Sequence, residues 1–84
     1  LVTYPFYYTF KDNCGMVSIP DFPAISPFKA FSLEEACELV SRLVKKEMEF
    51  LFSSGKAIPD SSTMFPVHPP KDTVTLYESF VLPS

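Results

Sequence analysis

The sequence predicts an α+β fold in the order β-β-β-α-β, a small antiparallel sheet with one long helix packed on one face. Three observations carry this. Residues 2–10 alternate in character with period two. Residues 32–54 open with a helix-start signal and continue as an apolar stripe at spacings of three and four. Residues 73–82 alternate again. The chain has 84 residues, so residues 1–84 are read as a single domain.

In the first strand, Val2, Tyr4, Phe6, Tyr8 and Phe10 share one side, and Thr3, Pro5, Tyr7 and Thr9 the other. Pro5 cannot donate to a ladder, so its position is expected at an unpaired edge or a bulge. Lys11 to Gly15 reads as a turn, with Gly15 free to take positive φ. Met16 to Ile19 then forms the second strand of a hairpin. Pro20-Asp21-Phe22-Pro23 is a stiff corner that ends the pairing. Ala24 to Phe31 returns as a third strand, made an edge or a bent strand by Pro27.

Ser32 with Glu35 three residues later is a capping box, and Glu34 and Glu35 suit the positive end of a helix dipole. Leu33, Ala36, Cys37, Val40, Leu43, Val44, Met48 and Leu51 form the apolar stripe. Glu38, Arg42, Lys45, Lys46 and Glu49 take the wet side. Gly55 is the natural stop. The helix is predicted over residues 33–54, with Phe50 and Phe52 widening its apolar surface where an aromatic could meet a partner. Ala57 to Asp72, with four prolines, reads as an extended connector. In the last strand Val74, Leu76, Phe80 and Leu82 are in phase and Glu78 breaks it.

Composition narrows the function classes. The chain is 46% hydrophobic and 15% aromatic, too apolar for a disordered segment. No run approaches the roughly 18–20 apolar residues that span a bilayer, and no signal peptide is visible at the start. A cytoplasmic location without membrane contact is therefore expected. Seven basic and ten acidic residues give a net charge of −3, which disfavours non-specific nucleic-acid binding. Cys14 and Cys37 are expected as reduced thiols, Cys37 as a small core residue.

No catalytic, metal or cofactor site is predicted. Asp12, Asp21, Asp60 and Asp72 are the candidate acids for a two-metal site, but all fall in predicted turns or the connector. His68, the single histidine, sits in a proline-rich segment without an orienting acid. Tyr4, Phe6, Tyr7, Tyr8 and Phe10 could stack RNA bases, but only Lys11 and Lys29 are nearby cations. Core packing is expected for one face of that strand and a protein-binding surface for the other.

An aromatic strand from Tyr4-Pro5 leads to the turn at Asp12 to Gly15 and then to Val17-Ser18-Ile19-Pro20-Asp21-Phe22-Pro23. Ser32-Leu33-Glu34-Glu35-Ala36 opens the helix, and Ile58-Pro59 follows it. This pattern resembles the HicB-type antitoxin family of bacterial toxin–antitoxin modules, over residues 4–62 and a final strand at 74–81. The resemblance implies a partial RNase H-like fold without catalysis. It also implies binding to a small basic mRNA-cleaving toxin of double-stranded-RNA-binding-domain type, whose active or RNA-binding surface is occluded. The chain departs from the family at Ala24-Ile25 and at Pro27 to Phe31, and carries no DNA-binding segment after its last strand, so no direct DNA contact is expected. The alternative is an orphan binding or scaffold protein of the same fold. Expected contact residues are Asp21 and Phe22 at the corner and Glu38 and Arg42 on the exposed side of the helix. A homodimer is expected, because edge strands leave ladder groups unpaired.

Overall fold

The structure, a computed structural model, describes residues 1–60 and 72–82. The elements are β1 (Val2–Lys11), β2 (Cys14–Ser18), β3 (Phe28–Ala30), α1 (Leu33–Ser53) and β4 (Thr73–Phe80). The predicted α+β order holds. The sheet is antiparallel throughout, in the order β3-β2-β1-β4.

Asp12 and Asn13 make the β1–β2 turn with φ of 54° and 60°. Positive φ at both central residues is what a two-residue hairpin needs to match strand twist, and Asp and Asn tolerate it. Gly15 does not serve the turn as expected. It lies in β2, opposite Phe10 on one side and Ala30 on the other. A β-carbon there would overlap the Tyr8 hydroxyl and the Ala30 carbonyl oxygen. Tyr8 lies across the gap, and its hydroxyl donates to the Ala30 carbonyl at 3.3 Å.

Pro5 sits within a central strand, yet its neighbourhood is a local edge. A two-residue turn makes Lys11 and Cys14 a hydrogen-bonded pair, so odd-numbered β1 residues direct their backbone groups toward β2. β1–β2 pairing stops at Tyr7 and Ser18. Residue 5 thus points its missing donor past the end of β2. On the β4 side it stands opposite Tyr77, where no donor is required.

The corner is two consecutive turns. Phe22 N–H donates to the Ile19 carbonyl (3.1 Å) and Ile25 N–H to the Phe22 carbonyl (2.9 Å), with Pro20 and Pro23 as the second residue of each. Residues 24–27 stay outside the sheet, so the third strand is Phe28–Ala30 rather than 24–31. Two prolines hold the chain in turn geometry until Pro27 is passed. The short β3 lies at the sheet edge.

Ser32 caps α1, its Oγ accepting from Glu35 N–H at 3.1 Å. At the other end Gly55 has φ of 70°, Gly55 N–H donates to the Phe52 carbonyl, and Lys56 N–H donates to the Leu51 carbonyl. This pair of bonds is the Schellman stop. Ala36, Val40, Val44 and Met48, at intervals of four, are the buried face. Leu33, predicted in the stripe, is exposed at the first turn, ahead of the packed region.

α1 packs on the even-numbered side of β1. Tyr4, Phe6, Val17, Ile19, Phe22, Ala30 and Phe80 meet its buried face. Coverage is incomplete: Phe10, and Val74 opposite Tyr8, stay exposed on that side. Glu78 interrupts the apolar phase of β4 as expected, standing opposite Tyr4 and half-buried. Most of the predicted connector, residues 61–71 with His68, lies outside the described residues.

Candidate protein-binding surfaces

The Schellman stop turns the chain at Gly55, and residues 57–59 join the Pro-Asp-Phe-Pro corner. Between them lies a groove of about 180 Å³. Asp21, Phe22, Pro23 and Ala24 line it from the corner, Glu47 and Leu51 from α1, and Ala57 and Pro59 from the returning chain. Its walls are almost entirely carbon, and Asp21 and Glu47 are the acidic residues among those that line it. Such a trough suits a lysine or arginine, whose aliphatic stem lies on apolar surface while its cation meets the acids.

Tyr4 ties the groove to the core. Its hydroxyl donates to the Pro59 carbonyl at 2.5 Å, and its ring meets Phe22 edge-on, with centroids 4.7 Å apart and planes at 78°. Burial, then the charges of Asp21 and Asp60, push Tyr4 ionisation above its ordinary 10.0. The fold therefore favours the neutral hydroxyl. That contribution is complete below pH 10.0 and is lost as pH rises through the raised value. Tyr4→Phe should cost about 1 kcal/mol near neutrality, because a carbonyl loses its donor. It should also flatten the alkaline fall in stability. Urea titrations at pH 8 and pH 11 check this, and an unchanged alkaline slope in the variant would rule the assignment out.

The expected contact residues occupy two separate places. Asp21 and Phe22 are at the groove. Phe22 is almost wholly buried, so it shapes the groove from beneath and offers a partner little surface of its own. Glu38 and Arg42 form an exposed ion pair at 2.9 Å on α1. Glu38 lies nine residues before Glu47, about half a turn round the helix and about 13 Å along it. One small partner surface would not engage both. Glu47 was not named from sequence, and Leu51 and Pro59 were named only as a stripe residue and as part of Ile58-Pro59, not as contact residues. Their only signal was a position at the border of the stripe or next to the helix stop.

The four candidate acids are split between the ends of the sheet. Asp21 and Asp60 both act on Tyr4 near the start of β1. Asp12 lies in the turn that ends β1, and Asp72 directly precedes Thr73, which pairs with Thr9. Among the described residues no three His, Cys, Asp or Glu side chains gather as a metal site would need. Cys14 and Cys37 are free and half-buried, on opposite sides of the sheet. The β1 aromatics do not form a platform. Tyr4, Phe6 and Tyr8 are core, Tyr7 is on the other face, and Phe10 is exposed on the helix side.

The sheet face opposite α1 is partly buried: Pro5 is buried, Thr3, Tyr7, Thr9, Thr73 and Thr75 are half-buried, and Tyr77 and Ser79 are exposed. The register places Thr3, Pro5, Tyr7 and Thr9 there beside Ser79, Tyr77, Thr75 and Thr73. Thr3 and Ser79 hydroxyls bond at 2.9 Å, and Thr9 and Thr73 at 2.8 Å. Tyr77 and Met16 are its exposed large apolar residues. Among the described residues no helix is long and apolar enough to cross a membrane. No protein-family model, curated protein or solved structure matches the chain.

Proposed function

We propose that this chain is a non-catalytic, antitoxin-like binding protein that neutralises a small, basic, mRNA-cleaving toxin by occluding its active or RNA-binding surface. The observation that carries this reading is the apolar groove with Asp21 and Glu47 at its sides. A toxin that grips RNA must present lysine and arginine, whose aliphatic stems suit an apolar groove that has Asp21 and Glu47 among its lining residues. The net charge of −3 steers such a partner in the same direction. The HicB-type motifs at Ile19 to Pro23 and Ser32 to Ala36 support the reading, since the first of them builds the groove.

The test is affinity capture from the native host's lysate, followed by an RNA-protection assay with the captured protein. Expected is a small basic partner, released by high salt, whose RNA cleavage stops when this chain is added. Asp21→Lys with Glu47→Lys should weaken that inhibition at least about 10-fold through charge reversal. If a folded bait retains nothing small and basic at low salt, the orphan scaffold reading replaces this one.

A further inference from the structure

We propose that the outer edge of β4 is a homodimer interface, at which a second copy's β4 adds antiparallel to make one eight-stranded sheet. The inference stands on the sheet geometry and is independent of the toxin-binding reading.

The two sheet edges differ. The β3 edge is three residues long and carries Lys29, directly after Pro27 and Phe28. Short length, lysine and proline are the devices that keep an edge unpaired. The β4 edge runs eight residues, Thr73–Phe80, with no proline, no lysine and one charge, Glu78. Among the described residues nothing pairs with its outer side.

Its hydrogen-bonding groups can be assigned. Odd-numbered β1 residues face β2, so even-numbered ones bond to β4, and their partners there are Val74, Leu76, Glu78 and Phe80. Thr73, Thr75, Tyr77 and Ser79 therefore direct their N–H and C=O groups outward. The short hydroxyl contacts at Thr3–Ser79 and Thr9–Thr73 agree, since side chains approach more closely at pairs that do not exchange ladder bonds.

A second copy fits this edge because an antiparallel strand pair is its own two-fold mate. For both helices to lie on one side of the joined sheet, paired residues must share parity. Two registers then pair most of the strand, centred on Leu76 or on Tyr77. Centring on Tyr77 sets the two Glu78 side chains as diagonal neighbours. Centring on Leu76 places Glu78 opposite the second copy's Val74, four residues or about 13 Å from the other Glu78. The Leu76 register is therefore favoured. In it Thr75 and Tyr77 exchange ladder bonds across the axis, an aromatic–β-branched pair, and exposed Val74 gains a neighbour. Assembly stops at two copies, because only the defended β3 edges remain.

The experiment is sedimentation equilibrium with amide hydrogen exchange. Expected is a mass of twice 9.5 kDa, with Thr75 and Tyr77 amides protected in step with dimer population. Thr75→Pro removes an outward donor and no β1–β4 bond. It should weaken dimerisation about 100-fold while near-ultraviolet circular dichroism of the core is kept. In a Cys14→Ser/Cys37→Ala background, Leu76→Cys should crosslink as a disulfide dimer, the two sites facing each other across the axis. A monomer whose Thr75 and Tyr77 amides exchange freely at the highest soluble concentration overturns the proposal. So does a dimer that survives Thr75→Pro and does not crosslink through Leu76→Cys. Protection that appears only on adding a partner protein assigns the edge to that partner's strand, and also overturns it.

Discussion

Gly15→Ala should destabilise the domain by about 2–3 kcal/mol. Two effects compete. Removing a glycine from a strand lowers unfolded-chain entropy and is worth about 0.5–1 kcal/mol in favour of the variant. Against this, the added methyl overlaps the Tyr8 hydroxyl and the Ala30 carbonyl oxygen. One of these neighbours is backbone, so a rotamer change in Tyr8 does not relieve both. Overpacking of this kind costs about 1–3 kcal/mol, occasionally more, and it wins. The movement would also break the Tyr8–Ala30 hydrogen bond that ties β1 to the edge strand across β2. Urea denaturation followed by circular dichroism reads the result. A loss below 0.5 kcal/mol would show that the Tyr8 ring does not occupy the space over Gly15.

Phe22→Ala should cost about 3–5 kcal/mol, the range for emptying a buried aromatic site. Phe22 belongs to no helix or strand, yet it is one of the most completely buried large side chains. The turn bonds at Ile19 and Ile25 hold its backbone on both sides, so the corner cannot easily collapse into the vacancy. Its edge contact with Tyr4 adds about 0.5–1.5 kcal/mol beyond area burial. Phe22→Leu keeps most of the volume and should lose under about 1.5 kcal/mol. Calorimetry on both variants separates packing from backbone effects. Equal losses would mean that the corner's backbone, not the ring, carries the stability. Because Phe22 underlies the groove, Phe22→Ala should also weaken partner binding more than Phe22→Leu does.

The parts legible in the sequence depend on neighbours a few residues away. Ser32 and Glu35 mark the helix start, and Gly55 its end, because capping bonds span three to five residues. Asp12-Asn13 and the two prolines of the corner act locally in the same way. Period two located β1 and β4, and also showed Glu78 out of phase. Prediction failed where a distant segment decided the matter. Gly15 was read as a turn glycine, yet its smallness serves a ring from β1 and a carbonyl from β3. Leu33 fits the stripe by spacing, but it stays exposed in the first turn of the helix. A third strand over 24–31 fits the sequence, but the consecutive turns at the corner keep residues 24–27 out of the sheet.

By itself, the sequence determined the β-β-β-α-β order, both ends of the helix, the hairpin turn and the mild negative charge. Each rests on backbone conformation, hydrogen bonds within one turn, or a sum over residues. Only the tertiary structure decided which acids share a neighbourhood, that Phe22 is core, and that Glu47 and Pro59 meet the corner in one groove. It alone decided that β4 flanks β1 and that, among the described residues, no strand pairs with its outer edge. These outcomes depend on strand order and on how the helix lies over the sheet. Long-range packing selects both, and no spacing along the chain encodes either.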